Sequence, residues 1–217
     1  ICFEPQLTHM AKESLFQPIA DRVRSITSLK VDEERLPILQ DLISFIQAKV
    51  RKREPVRLNF ICTHNSRRSH LAQVWAQTAA YYFGIPGVSC YSGGTEATAM
   101  FPAAVKALQA DGFQIEPLSA GDNPVYAVKS GPNTPPVIGF SKTFEDPFNP
   151  GSGFAAVMTC SQADAGCPFV PGSEKRIALT YDDPKAFDDS PQQMEKYLER
   201  SHQIAAEMVY VFSKITP

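Results

Sequence analysis

A chain of 217 residues, 43% hydrophobic and 20% charged, has enough apolar material for one well-formed core, or for one domain with an added arm. Its formal net charge of −2 argues against a nucleic-acid or general polyanion binder, which carries a basic excess, and no apolar run approaches the roughly 20 residues that span a bilayer. Five cysteines, an odd number, do not describe a disulfide framework, and the first residues lack the basic-then-apolar pattern of a secretory leader, so a reducing, cytoplasmic setting is expected.

Residues 1–55 read as a helical extension and residues 56–217 as the main domain. Leu15, Ile19 and Val23 fall at helical spacing, with Pro18 as an interruption. In "VDEERLPILQDLISFIQAKVRKRE", Ile38, Leu39, Leu42, Ile43, Ile46 and Val50 share one helical face. Acidic residues open that segment and Arg51, Lys52 and Arg53 close it, as the helix dipole favours; the basic cluster reads as a solvated helix end. These residues could pack against the sheet, cover the active site or dimerise; apolar faces this wide favour packing or a homodimer through these helices. From Arg57 onward the periodicity alternates: strands over 58–61, 87–94, 153–160 and 175–181, and helices over 69–83, 102–113 and 190–215, the last capped by Ser190 with Pro191 in its first turn. Such alternation implies an α/β fold, a parallel sheet with helices on both faces. Residues 117–152 are rich in Pro, Gly, Asn and Ser and hold two strand-like pieces, "PVYAVKS" and "PPVIGFSK", which predict an inserted hairpin over the edge of the sheet.

The chemistry concentrates in "CTHNSRRS", residues 62 to 69. Parallel sheets bind ligands at the carboxyl ends of their strands, where Cys62 is expected. Thr63, His64, Asn65, Ser66 and Arg67 can curl so that successive N–H groups point inward and join the N-terminus of the next helix as an oxyanion cradle. Arg68 adds a planar, bidentate partner for a tetrahedral anion. The same field favours the thiolate of Cys62, and Ser69 can donate its hydroxyl to that sulfur. Arg67 either faces inward and strengthens the attraction or is exposed; His64 either narrows the entrance, contacts the anion, or is a surface residue. Displacing an oxygen from a tetrahedral oxyanion needs a proton donor opposite the thiolate, and "TYDDPKAFDD" offers Asp183, held by the following proline, with Asp182 as its neighbour. "TCSQADAGCP" places Cys160 and Cys167 after another strand, on the same edge as Cys62. Their separation is wide for a zinc pair; otherwise they are a redox pair or incidental buried thiols. Cys2 and Cys90 read as structural.

Together, "CTHNSRRS", "SGGTEA", "DGF" and the late "DDP" resemble the low-molecular-weight protein tyrosine phosphatase superfamily, over about residues 57–215. "TCSQADAGCP" is similar to the redox segment of the superfamily's thioredoxin-coupled arsenate reductases. The resemblance implies that fold and a role in arsenic detoxification, the reduction of arsenate to arsenite. Cys62 would be the nucleophile, Arg68 and Ser69 its partners, Asp183 the general acid, and Cys160 and Cys167 a disulfide relay regenerated by thioredoxin, with no bound cofactor. It also implies an alternative, a phosphatase that hydrolyses phosphotyrosine or small phosphate esters through a Cys62 phosphoenzyme; a non-enzymatic oxyanion or redox sensor is a third reading. Several such reductases hold a potassium ion, for which Asn65 and Ser92 match two ligands while Gln73 stands where an acidic residue is expected.

Overall fold

A computed structural model describes residues 15–28, 30–166 and 169–217; Cys2 and Cys167 lie outside them, as does the start of the first predicted helix. In chain order the elements are α1 (Gln17–Thr27), α2 (Leu36–Lys52), β1 (Val56–Cys62), α3 (Arg68–Phe83), β2 (Val88–Gly94), α4 (Pro102–Ala110), β3 (Gln114–Pro117), β4 (Tyr126–Lys129), β5 (Val137–Gly139), β6 (Phe154–Met158), α5 (Ser161–Gly166), β7 (Ser173–Ile177) and α6 (Gln193–Ser213), with short 3-10 turns at Glu33–Arg35 and Pro184–Phe187. Pro18 does not interrupt a helix. It lies in the first turn of α1, where a missing N–H is harmless, and Pro37 does the same for α2. At the other end of α2, Arg53 takes the left-handed conformation with φ 57° and its N–H returns to the Lys49 and Val50 carbonyls. α6 starts later than Ser190, whose hydroxyl instead donates to the Phe187 carbonyl at 2.7 Å.

Four strands form a parallel sheet in the order β2-β1-β6-β7. The predicted hairpin is present as β4 and β5, which pair antiparallel, and β3 joins them as a third strand of a separate sheet. Just after that sheet the chain runs beside the end of β2, where the Gly94 N–H donates to the Lys142 carbonyl and the Phe144 N–H to the Gly94 carbonyl, both at 2.9 Å.

The period of two along a strand sends neighbouring residues to opposite faces, and here it divides the core. Leu58, Phe60, Ala155 and Val157 join a large cluster with α1, α2, α3, α4 and α6. Ile61, Phe154, Ala156 and Met158 face a small one with Cys62, Cys160, Ala163, Val170 and Phe144. Among the described residues, helices therefore cover the sheet unequally, with only α5 on the small face. The buried residues of the first two helices, Ile19, Val23, Leu39, Leu42 and Ile46, belong to the large cluster, so the apolar faces of residues 17–52 are buried within the chain itself. No helix among the described residues is long and apolar enough to cross a membrane.

Candidate active site

β1 ends at Cys62 and α3 begins at Arg68, so five residues make the turn between them. Outer neighbours take the carbonyls of this loop. The Cys62 carbonyl accepts from the Thr95 N–H at 3.1 Å, that of Thr63 from the Glu96 N–H at 2.8 Å, and that of Ser66 from the Phe101 N–H at 2.9 Å. The His64 carbonyl accepts from the Ser141 and Thr98 hydroxyls at 2.9 and 3.1 Å. In a trans peptide N–H and C=O point in opposite directions. The N–H groups of Thr63, His64, Asn65 and Arg67 thus point away from that wall, as an oxyanion cradle requires. The wall comes so close that Gly94 has no room for a side chain: a Cβ there would lie 2.3 Å from the Glu96 carbonyl oxygen and 2.7 Å from the Asn65 nitrogen.

Asn65 holds the turn in the left-handed region, φ 44°, where Asn is tolerated. Its Oδ1 accepts from the Lys142 N–H at 3.0 Å, which fixes the amide so that Nδ2 donates to Ser69 Oγ at 2.8 Å. With its oxygen accepting there, Ser69 is left to aim its own proton at Cys62 Sγ, 3.2 Å away. Cys62 is 4% exposed.

Arg68 and Asp183 meet. Arg68 Nη2 donates to Asp183 Oδ2 at 2.5 Å and Nη1 to the Tyr181 carbonyl at 2.8 Å, while the buried Nε has no partner and is free to serve an anion. Asp183 also caps the 3-10 turn Pro184–Phe187, its Oδ1 accepting from the Lys185 N–H at 3.1 Å, so the residue is both a cap and a neighbour of the site. The side chain of Asp182 is 94% exposed and points toward Arg200.

Neither sequence alternative describes Arg67. Its guanidinium is buried and engaged: Nε donates to Tyr197 Oη at 2.5 Å, Nη2 to Asp188 at 2.6 Å, and the group lies 4.0 Å from the centre of the Phe101 ring. The Arg67 side chain braces the loop against α6, and only its N–H is available to the cradle. His64 is partly exposed, its side chain at 38%, with Nε2 3.8 Å from Glu96.

Cys160 follows β6 and is 1% exposed. Its sulfur accepts from the Ala163 N–H at 3.3 Å and lies 3.4 Å from the hydroxyl of Thr63, the residue next to Cys62. Cys90 stands on β2, and burial pushes its thiol up in pKa, as suits a structural residue.

Two of the three potassium candidates are engaged, while the buried Gln73 Oε1 has no partner. Asn65 is used as above, Ser92 Oγ pairs with His70 Nδ1 at 3.3 Å, and the Gln73 amide donates to the Cys90 carbonyl at 3.1 Å. Burial, and then the charge of Lys142, pushes His70 down to about 3, so this imidazole is neutral. Lys142 itself is 2% exposed; its ammonium donates to the Phe140 carbonyl at 3.2 Å and lies 4.3 and 5.2 Å from the rings of Phe140 and Phe148. A buried cation here, with no carboxylate at position 73, works against binding a second one. A lone Lys in "GFSK" gives no sequence signal of this kind.

Burial also pushes Lys142 down, from 10.5 to about 8. The unfolded chain keeps that proton to higher pH, so the buried charge weakens the fold below about pH 8 and the penalty fades as pH rises toward 10.5. Lys142→Met is expected to raise stability at pH 7 by up to about 3 kcal/mol, at about 1.4 kcal/mol per pKa unit. Urea midpoints of variant and wild type at pH 7 and pH 10 check this: the gap should narrow at the higher pH.

No protein-family model and no curated protein matches the chain. Solved structures do. A low molecular weight phosphotyrosine phosphatase from Vibrio cholerae has 13% identity over 73% of this chain and 94% of its own, with a TM-score of 0.50. A YwlE mutant from Bacillus subtilis has 15% identity, covers 73% and 97%, and scores 0.49. An arsenate reductase in the phosphate binding state has 17% identity, covers 74% and 99%, and scores 0.47. The four-stranded parallel sheet, with its cysteine loop running from β1 into α3, is that of the low-molecular-weight phosphotyrosine phosphatase fold.

Proposed function

We propose that this protein is a thiol enzyme that reduces arsenate to arsenite and draws its electrons from thioredoxin. The observation that carries the reading is the position of Cys160, a second buried thiol 3.4 Å from the hydroxyl of the residue that follows Cys62. A phosphatase needs the cradle, the nucleophile and the acid; it has no use for this thiol.

In the reaction, arsenate sits in the cradle between the loop N–H groups and Arg68. The Cys62 thiolate attacks arsenic(V), an S–As bond forms, and one oxygen leaves as water with the proton of Asp183. Cys160 then attacks the sulfur of Cys62. The S–As electron pair passes to arsenic, which departs as arsenite(III), and a Cys62–Cys160 disulfide remains. Cys167 attacks Cys160 and frees Cys62, and the dithiol of thioredoxin reduces the Cys160–Cys167 bond.

Disulfide mapping tests the relay. The protein is reduced, freed of reductant, treated with one equivalent of arsenate, alkylated and analysed by mass spectrometry. A Cys160–Cys167 bond is expected in the wild type and a Cys62–Cys160 bond in Cys167→Ser. Cys160 and Cys167 both free after arsenate would remove the reductase reading and leave the phosphatase, whose machinery is Cys62, Arg68 and Asp183 alone.

A further inference from the structure

The last strand of the parallel sheet stops at Ile177, yet the residues that complete the site lie beyond it, from Thr180 to Asp183. This segment has lost its ladder, and only the Tyr181 N–H, which donates to the Thr159 carbonyl at 3.1 Å, continues toward β6. A different part of the chain holds it. Arg35, just ahead of α2, donates from Nη1 to the Thr180 carbonyl at 2.8 Å. Its Nε and Nη2 form a fork with both oxygens of Glu207 on α6, at 2.8 and 2.9 Å. Glu207 is 3% exposed and also accepts from the Tyr181 hydroxyl at 2.7 Å. The Arg35 guanidinium lies 4.9 Å from the centre of the Tyr181 ring.

One planar cation thus grips the backbone of Thr180, the ring of Tyr181 and the carboxylate that anchors the Tyr181 hydroxyl. The same Tyr181 supplies the carbonyl that Arg68 binds, and two residues on stands Asp183, which Arg68 binds as well. We propose that Arg35 is a positioning residue of the active site: it fixes the segment 180–183, and so holds Asp183 and the Tyr181 carbonyl against Arg68. This gives the first two helices a purpose that their apolar faces do not reveal, since the fork is built from outside the cysteine loop and its strand. The role rests on the reading of Asp183 as general acid and of Arg68 as anion ligand.

A fork that meets two acceptors in one plane cannot be replaced by an ammonium, which reaches them as a point charge. Arg35→Lys should therefore recover only part of what Arg35→Gln loses. Because Arg35→Gln leaves the Glu207 carboxylate buried without its cation, a second variant, Arg35→Met with Glu207→Gln, removes the charge pair and keeps an acceptor for Tyr181.

Each variant is compared with the wild type for arsenate-driven disulfide formation and for p-nitrophenyl phosphate hydrolysis, and thermal unfolding confirms that it is folded. We expect kcat to fall about 10- to 100-fold, as for a displaced catalytic group, with KM within about threefold because the cradle itself is intact. The decisive comparison is in the Asp183→Asn background, where the Arg35 substitutions should cost almost nothing more. A kcat that stays at the wild-type level, or a loss that persists undiminished in Asp183→Asn, overturns the positioning role while leaving the acid in place. An Asp183→Asn protein with wild-type kcat overturns the acid assignment instead, and neither reaction in the wild type overturns both.

Discussion

If Cys62 is the nucleophile, as proposed, Cys62→Ser is expected to lower arsenate reduction, or phosphate-ester hydrolysis, by roughly 10⁴-fold or more, the scale on which removal of a nucleophile is felt. The substitution is nearly isosteric at a site that is 4% exposed, so the packing beneath the loop is kept. A serine hydroxyl in place of the thiol is a far weaker nucleophile, and among the described residues its hydrogen-bonding neighbour, at 3.2 Å, is another hydroxyl, that of Ser69, not a histidine or carboxylate that could take its proton. In the proposed site the oxyanion is held by the loop N–H groups and Arg68, none of which is touched. Titration calorimetry with inorganic phosphate should therefore give a dissociation constant within a few-fold of the wild type beside an initial rate at background. Loss of both would mean that the loop has collapsed and that Cys62 is a packing residue.

Asp183→Asn should move rate and binding in opposite directions. The general acid is typically worth 10²–10⁴ in rate, and an amide has no proton to give. The same change removes the carboxylate that lies 2.5 Å from Arg68 and competes with an incoming anion for the guanidinium. Phosphate should bind several-fold more tightly to the variant while kcat falls at least about 100-fold. Asn caps a turn about as well as Asp, so the bond from the Lys185 N–H survives and stability changes little. Asp182→Asn, at a side chain 94% exposed, is the control and should leave both quantities alone. Calorimetry and steady-state rates on the two variants make the comparison; weaker phosphate binding in Asp183→Asn would contradict the competition described.

The strand, loop and helix around Cys62 are legible because each depends on neighbours in sequence: an apolar run, a turn that Asn65 can bend, and a helix whose first turn carries Arg68 and Ser69. The hairpin of β4 and β5 is legible for the same reason. β3 is not, since "QIEP" is too short to show alternation and exists only because β4 lies beside it. The last strand is shorter than the 175–181 the sequence predicts: Leu179 and Tyr181 are buried, but as loop residues, since the neighbouring strand β6 ends at Met158. Least legible are the long side chains. Whether Arg67 turns to the anion or to Tyr197 and Asp188 is decided by α6, far along the chain, and the same holds for the reach of Arg35 to Thr180 and the burial of Lys142 between two phenylalanines.

Cys62 and Cys160 share the small cluster but are tied to helices of very different burial. Cys62 leads directly into α3, which is buried along almost its whole length in the large cluster, so freeing its backbone would mean unfolding the domain. Cys160 leads into α5, six residues long, whose only fully buried side chain is that of Ala163, over the small cluster. Opening this unit gives up little apolar contact and leaves the rest of the fold standing. In the proposed relay, the thiol that stays and the one that travels thus share one small cluster and differ in the helix each leads into, and releasing the second takes far less free energy than global unfolding.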